Sequence, residues 1–471
     1  MPQKREPYNL KFYKELRRKR RREGQRSGWH RYYFDVIRVA KSKGKVLTKD
    51  ELPSFEYYKR NVQIPEPKFS STIQFLANNK NIFSRKALNL PDDGVFKVPE
   101  IFSLTETYSE SFIFLKRLFY ALYQDKYTDL IIDYEKCERI DVDASVCMDT
   151  LLSEFIKHYN SCRARGRTKK LKQILPMNYG KESIEKILKS IGAFNTILGR
   201  QTQYSDILPF HLLIGNNFSR TLGKDKELEV TKIVDYIVDS LKLMNKVLTW
   251  QAEDSLSKVV GEVIINAAEH CGNKYRYSIG YLQISKDPAE NETHVGVFNL
   301  VIFDFGRTIY ENFKREQSED LEVVKRMKEL SKSYTERHLL RSKEFEEETL
   351  WTLYALQDGV TSVKDKQRGN GSIHFIESFF NLKGDTDHDN SSFLTIISGN
   401  TRIIFDGKYQ IQEKPRGKEG KLYKMMTFND SGNIEDKPDP QYVMYTENTF
   451  PGTMIVAKIC INFKNIENGE Q

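Results

Sequence analysis

The nine residues from Glu262 to His270 combine a carboxylate and a carboxamide at helical spacing. Glu262 and Asn266 lie four positions apart, so they share one side of a predicted helix with Glu269 and His270. A carboxylate in this setting can orient a nucleophile, and an amide oxygen can enter the shell of a hard cation such as Mg2+. A polar stripe is also typical of a solvated helix face, so its interpretation depends on the rest of the chain.

Three further signals follow downstream. Apolar runs predict a buried strand from Val295 to Phe303, a helix from Ile373 to Phe380 and a strand from Met454 to Ile461. Each adjoins a polar or glycine-rich segment, and these read Asp304-Phe305-Gly306-Arg307-Thr308-Ile309, then Gly359-Val360-Thr361-Ser362 with Arg368-Gly369-Asn370-Gly371-Ser372, and finally Phe450-Pro451-Gly452-Thr453. Together the four signals are more specific than any one of them.

This ordered set resembles the GHKL ATPase superfamily, the Bergerat-fold group that includes gyrase-type ATPases, histidine kinases and anti-sigma-factor serine kinases. The resemblance covers roughly residues 203–463. It implies an α/β sandwich in which a mixed sheet carries helices on one face. The matching positions are Glu262, Asn266 and His270 for the N box, Asp304 and Gly306 for the Asp-x-Gly box, Gly369 and Gly371 for the second glycine box, and Gly452-Thr453 before the last strand.

The resemblance also implies roles and two cofactors, ATP and Mg2+. Glu262 would be the catalytic base, Asn266 would hold the Mg2+, and Asp304 would accept a hydrogen bond from the adenine amino group. Glycines let the backbone approach the base, and free N–H groups at a helix start can bind phosphate oxygens. The other implied ATP-binding residues are His270, Gly306, Ile309, Thr361, Ser362, Gly369, Asn370, Gly371 and Thr453.

Upstream, residues 96–202 alternate predicted strands and helices, which indicates a small α/β module. The stretches Asp129–Asp133, Ile140–Ser145 and Ile184–Phe194 resemble the STAS fold of anti-sigma-factor antagonists. In that family an Asp-x-Ser at a helix start carries a phosphorylatable serine, so Ser145 is the candidate position. A serine at a helix start is also a common N-cap, and that interpretation stays open.

The first fifty residues hold 17 Lys or Arg and 5 Asp or Glu, a local charge of +12 in a chain whose net charge is +9. Like charges this dense repel one another at helical spacing. Trp29, Tyr32 and Tyr33 follow closely. We expect a basic arm that binds nucleic acid through phosphates and stacking, or an acidic protein partner. Its densest run is Arg17, Arg18, Lys19, Arg20, Arg21 and Arg22.

The predicted organisation has five parts. They are a basic arm (1–50), a linker or small helical segment (51–95), the STAS-like module (96–202), the ATP-binding domain (203–465) and a polar tail (466–471). The ATP-binding domain contains a charged insertion at 311–366 that predicts a lid, and mixed charges from Glu311 to Glu348 predict an exposed helical hairpin. No apolar run is long enough for a transmembrane helix, and five scattered cysteines without C-x-x-C spacing favour the cytoplasm.

The leading prediction is an ATP-binding regulatory protein that hydrolyses ATP slowly, with nucleotide state switching a lid and partner contacts, in a setting such as bacterial stress or phage defence. The first alternative is a serine protein kinase acting on Ser145 or on a separate STAS partner. The second is a non-hydrolysing, ATP-responsive binding module with a polyanion-binding arm. A protein partner and an ATP-dependent homodimer are also expected. A histidine kinase is disfavoured because His158 and His211 lack the long helical hairpin of such enzymes.

Overall fold

The structure is a computed structural model, and it describes residues 29–30, 32–48, 51–61, 67–79, 88–164, 169–191, 202–243, 245–284, 294–315, 322–335, 345–358, 360, 371–383, 392–416, 421–462 and 466–468. The chain is mixed α/β. It divides into a smaller unit, made of residues 1–68 and 156–169, and a larger unit, made of residues 69–155 and 170–471.

The helices alternate with strands along the chain. In order the helices are α1 (Phe55–Asn61), α2 (Ser71–Asn78), α3 (Tyr108–Tyr123), α4 (Val142–Ala164), α5 (Glu182–Ser190), α6 (Leu222–Lys242), α7 (Trp250–His270), α8 (Ile309–Phe313), α9 (Glu322–Thr335), α10 (Glu347–Ala355) and α11 (Gly371–Lys383).

The strands fall into one large sheet and several small ones. In order they are β1 (Val95–Lys97), β2 (Ile101–Phe102), β3 (Asp129–Asp133), β4 (Arg139–Ile140), β5 (Gln173–Met177), β6 (Ile207–Asn216), β7 (Lys246–Leu248), β8 (Tyr275–Ile284), β9 (His294–Phe305), β10 (Phe393–Phe405), β11 (Gln412–Arg416), β12 (Lys421–Met425), β13 (Val443–Asn462) and β14 (Ile466–Asn468).

In the smaller unit, aromatic rings pack against one another. Trp29 lies with its ring centroid 5.4 Å from those of Tyr33 and Tyr58, and Tyr32 lies 5.2 Å from Tyr58. The ring of Phe55 meets Trp29 edge-on at 5.6 Å. Trp29, Tyr32 and Tyr33 therefore belong to one small aromatic cluster.

The larger unit is built on a five-stranded sheet with the order β10-β13-β9-β8-β6. Every neighbouring pair in it is antiparallel. The expected mixed sheet is therefore wrong for the described strands. The reason lies in the connections, because β8 and β9 pair as consecutive antiparallel strands and β13 returns between β9 and β10, antiparallel to both.

One face of this sheet packs against helices α6, α7, α10 and α11. Helix α7 begins where Thr249 accepts a hydrogen bond from the amide of Ala252 at 3.3 Å, an N-cap. Its buried residues recur at three- and four-residue spacing, which makes a continuous apolar side. They form one core with Leu300 and Ile302 of β9 and with Trp351 of α10. This core fixes the side of the sheet on which α7 lies.

The opposite face of the sheet is covered as well. Thr72 of α2 and Tyr277 of β8 share a buried hydrogen bond of 3.1 Å between their hydroxyls. The Tyr108 hydroxyl of α3 donates to the carbonyl of Asn448 at 2.8 Å. The expectation of helices on one face alone is therefore corrected, because Tyr277 packs with Phe303 and Phe305 into an aromatic surface that needs a cover.

The segment that resembles the STAS fold contains a three-stranded parallel sheet of order β1-β3-β5. Parallel strands need helical crossovers, and α3 and α4 supply them. The expected strand at 129–134 and helix at 182–191 correspond to β3 and α5. The strands β1, β3 and β5, the helices α3 and α5, and the five-stranded sheet belong to the same compact unit.

Candidate active site

Asp304 is the second-to-last residue of strand β9. Its side chain is 1 % exposed, and its Oδ1 atom has no hydrogen-bond partner among the described residues. Burial raises the pKa of this carboxyl well above its ordinary value, while a backbone hydrogen bond with Thr453 and the charge of Arg307 oppose the rise. An unpaired buried acceptor is costly, so a donor supplied by a ligand would be strongly stabilising here.

Four polar residues form a row across the five-stranded sheet, on the face that packs against α7. Arg276 lies opposite Asp304, Asp304 lies opposite Thr453, and Thr453 lies opposite Ser398. The Ser398 and Thr453 hydroxyls are 3.0 Å apart. The predicted Asp304 and Thr453, 149 positions apart in sequence, are thus direct cross-strand neighbours. The row extends the site to Arg276 and Ser398, which sequence analysis did not identify.

Gly306 brings the end of β9 against the end of α7. A Cβ atom at this position would overlap the carbonyl oxygen of Cys271 and would lie 2.8 Å from Oδ1 of Asp304. The Arg307 amide donates to the same Cys271 carbonyl at 2.6 Å. Only glycine allows this approach. The Asp-Phe-Gly segment is consequently fastened to the helix that carries Glu262 and Asn266.

Arg276, one member of this row, forms a buried ion pair with Glu229 of α6. Arg276 is completely buried, and its Nε and Nη2 atoms donate to Oε2 of Glu229 at 2.9 and 2.6 Å. Ser278 donates to the other oxygen of Glu229 at 2.6 Å, and Nη1 of Arg276 donates to Asn217 at 2.7 Å. Asn217 in turn donates to the sulfur of Cys271 at 2.9 Å. This network holds α6, β8 and the end of α7 in one arrangement.

Glu262 and Asn266 are both half-buried on α7. Burial raises the pKa of the Glu262 carboxyl, the charge of His374 lowers it, and the charge of Glu269 raises it further. The raised pKa suits a general base, which must take up a proton near neutral pH. Glu269 itself is exposed and forms an ion pair with Lys226 at 3.0 Å. The predicted stripe is therefore half-buried at Glu262 and Asn266 and solvated at Glu269.

Ile309 and Gly371 lie where two helices begin. Ile309 is the first residue of α8, and its amide donates to Oγ of Ser398 at 2.9 Å. Since Ser398 also contacts Thr453, the Asp-Phe-Gly segment and the Gly-Thr segment meet at this serine. Gly371 is the first residue of α11, which packs against α7.

Other predicted positions lie outside the described residues. They are Thr361, Ser362, Gly369, Asn370, the basic run Arg17, Arg18, Lys19, Arg20, Arg21 and Arg22, and the side chain of His270, whose backbone ends α7. Their predicted roles stay predictions.

Ser145 lies inside α4 rather than at its cap. The helix begins at Val142, three residues earlier than expected, and the Ser145 amide donates to the carbonyl of Asp141 at 3.1 Å. The N-cap interpretation is therefore wrong. Ser145 is 1 % exposed, and its hydroxyl has no hydrogen-bond partner among the described residues. A kinase could reach this hydroxyl only if α4 moved.

The predicted lid contains core helices. Trp351 of α10 is fully buried, and its indole donates to the hydroxyl of Ser331 in α9 at 3.2 Å. Val324 and Met327 of α9 are buried too. The prediction of an exposed helical hairpin is wrong for α9, because its apolar residues at three-residue spacing form a packed side among the charges. Residues 345–355 cannot open without exposing this core.

The described residues contain no group of three or more His, Cys, Asp or Glu side chains arranged to hold a metal ion. Within the same residues, no helix combines the length and the apolar character that crossing a membrane requires. No family model, curated protein or solved structure matches this chain.

Proposed function

We propose that this chain is an ATP-binding regulatory protein of the GHKL class, with a Bergerat-type nucleotide site and a STAS-like module. The observation that carries the proposal is the unpaired, buried Oδ1 of Asp304, which lies next to Gly306, where an added Cβ would come within 2.8 Å of that oxygen. The adenine amino group is a donor that this acceptor can take. A guanine carbonyl at the same place would repel an ionised carboxylate, so the proposed site selects adenine.

The proposed chemistry is slow hydrolysis of ATP. Glu262 removes a proton from the attacking water. The water oxygen bonds to the γ-phosphorus while the bond from that phosphorus to the bridging oxygen of ADP breaks. The amide oxygen of Asn266 would hold a Mg2+ that neutralises phosphate charge, and this ion commonly keeps several waters and needs few protein ligands. Asn266 and Glu262 lie one turn apart on α7, so a single helix would position both the base and the metal.

The regulatory part of the proposal rests on the packing of the STAS-like module. Its helix α3 contacts the chain just before Gly452-Thr453, through Tyr108 and Asn448. Nucleotide binding at Asp304 and Thr453 would therefore affect the packing of the module through the strands of the sheet. It would not act through α10, because that helix is part of the core. Such coupling requires that ATP bind two arrangements of the module with different affinity.

The five cysteines, Cys137, Cys147, Cys162, Cys271 and Cys460, are all buried, and they form no disulfide with one another. Free thiols are typical of reducing compartments. This supports the cytoplasm as the proposed location, where ATP is also available.

The deciding experiment follows the γ-phosphate. The purified chain is incubated with Mg2+ and γ-labelled ATP, beside Glu262→Gln and Asp304→Asn. Free labelled phosphate that disappears in Glu262→Gln, with ATP binding retained, would establish an ATPase. Loss of ATP binding in Asp304→Asn would establish the adenine site. Label bound to the chain would favour the serine kinase, which the burial of Ser145 disfavours, and intact ATP with tight binding would leave a nucleotide sensor.

A further inference from the structure

A large groove lies on the face of the five-stranded sheet that points away from α7. Its volume is about 1130 Å³. Its floor includes Val456 and Lys458 of β13, which alternate along the strand with the core residues Ile455 and Ala457. Its walls come from the start of α4, from α5 and from the end of β10. The groove is therefore separate from the proposed nucleotide site, which uses the opposite face of the sheet.

The carboxylates that line this groove all have partners within the protein. Two lining cations, Arg139 and Lys186, form ion pairs with four of them, and neutral donors hold the other two. The pairs are Glu106 and Asp141 with Arg139, Glu182 and Asp206 with Lys186, Asp143 with Thr105, and Asp406 with Tyr442. None of these acidic groups therefore needs a cation from a ligand.

Arg402 is a lining cation that has no carboxylate partner among the described residues. Its Nη1 atom donates to the carbonyl of Thr105 at 2.5 Å, and its Nη2 atom donates to the sulfur of Met444 at 3.0 Å, a weak acceptor. Its Nε atom is buried and has no hydrogen-bond partner within the same residues. A half-buried cation without a counter-charge is costly, so an anionic group of a ligand would stabilise this guanidinium.

Lys458 is a second cation of this kind, near the other end of the groove. Its Nζ atom lies 5.9 Å from the ring centroid of Phe393, and it forms no ion pair within the described part of the chain. Phe393 is its cross-strand neighbour on β10 and precedes Arg402 by nine positions. A strand rises about 3.3 Å per residue and β10 bulges at Gly399, so the two cations lie about 20–30 Å apart.

We propose that this groove binds an extended acidic peptide of a partner protein, with one peptide carboxylate on Arg402 and another on Lys458. An extended chain of about six to nine residues spans about 20–30 Å. Apolar lining residues such as Val456 and Ile404 suit neutral side chains between the two acidic ones. Nucleic acid fits less well, because a phosphate at every nucleotide would meet the carboxylates of the walls. The inference does not depend on ATP binding.

A peptide array tests the charge requirement directly. The intact chain, without nucleotide, is applied to random octapeptides in three sets, which carry Glu, Gln or Lys at both ends. We expect the Glu set to retain the protein best. The strongest peptide is then labelled with fluorescein, and its Kd is measured by anisotropy. Arg402→Gln and Lys458→Gln should each weaken binding about tenfold, whereas Lys242→Gln, an exposed lysine of α6, should leave it unchanged.

Charge reversal separates an ion pair from a defect in folding. Lys458→Glu should prefer a version of the same peptide in which one terminal Glu is replaced by Lys, because loss of structure cannot reverse a preference. This result would support the proposal even if Arg402→Gln proved unstable. Equal retention of the three sets would overturn it, as would a preference for Glu that persists in both Gln variants. Tighter binding of labelled oligothymidine than of any peptide would also overturn it, in favour of nucleic acid.

Discussion

The ring of Phe450 stacks on the ring of Phe305, with centroids 6.0 Å apart and planes inclined by 30°. Phe305 separates Asp304 from Gly306, and Phe450 precedes the Pro451-Gly452 step that leads to Thr453. On the far side of Phe450, the ring of Phe112 in α3 lies 6.2 Å away. Three rings thus connect the STAS-like module to the strand segments that carry Asp304 and Thr453, where the nucleotide is proposed to bind.

We expect Phe112→Leu to change ATP affinity although Phe112 does not reach the proposed site. Loss of the ring should also lower the free energy of unfolding by about 1 kcal/mol, because aromatic pairs contribute about 0.5–1.5 kcal/mol beyond the area they bury. Isothermal titration with ATP and urea denaturation measure the two effects. Phe119→Leu is the control, since that ring packs on Tyr123 and Phe155 within the module. Equal ATP affinity in wild type and both variants would contradict the coupling.

ATP binding should release a proton from Asp304. Burial raises the pKa of this carboxyl, so the group keeps its proton to higher pH than an ordinary carboxyl does, whereas the adenine donor favours its ionised form. ATP affinity should therefore increase with pH up to the raised pKa and then level off. Calorimetry in buffers of different ionisation enthalpy counts the released proton directly. Equal binding enthalpies in all buffers would contradict this prediction.

The Asp304 carboxyl should also make the free energy of unfolding depend on pH. A carboxyl whose pKa is higher in the folded state keeps its proton while the unfolded chain loses it. The free energy of unfolding should consequently fall as pH rises from the ordinary value toward the raised value, by about 1.4 kcal/mol for each pH unit. Asp304→Asn should remove this slope, and urea denaturation at a series of pH values from about 4 upward would show it. A slope retained in Asp304→Asn would assign the effect to another group.

Gly306→Ala should destabilise the chain and abolish ATP binding. The added methyl group would overlap the Cys271 carbonyl, so β9 and the end of α7 must separate. We expect a loss of about 2–4 kcal/mol in the free energy of unfolding, as for other overpacked or strained positions. Gly223→Ala in α6 is the matched control, because nothing lies within 4 Å of its added Cβ. That control should be neutral or stabilising by up to about 1 kcal/mol, since alanine favours helix.

Arg276→Met should be among the most destabilising single changes in the larger unit. It leaves the Glu229 carboxylate buried without its cation, which typically costs about 3–5 kcal/mol. The double variant Arg276→Met with Glu229→Gln should recover part of this loss, because the unpaired charge is gone. Lys258→Ala removes an exposed ion pair with Asp254 and should cost less than about 1 kcal/mol. Thermal denaturation of Arg276→Met, the double variant and Lys258→Ala measures the order of their stabilities.

Local patterns predicted the elements of the site well. The spacing from Glu262 to His270 predicted the last part of α7, which begins at Trp250, and the run from Val295 to Phe303 predicted β9 apart from its first residue and its last two. Contacts between distant elements were not predictable, because the contact of Arg276 in β8 with Glu229 in α6 spans 47 positions and follows no local period. One signal was overlooked. The run from Val295 to Phe303 is nearly continuous rather than alternating, and such strands are covered on both faces.

The cover on that second face has a practical consequence. Residues 203–465, prepared alone, would lose Thr72, Tyr108 and Phe112 and would present the rings of Tyr277, Phe305 and Phe450 to water. An open aromatic surface of this kind promotes self-association. A shortened fragment could therefore aggregate, and its failure to turn over ATP would say nothing about the intact chain.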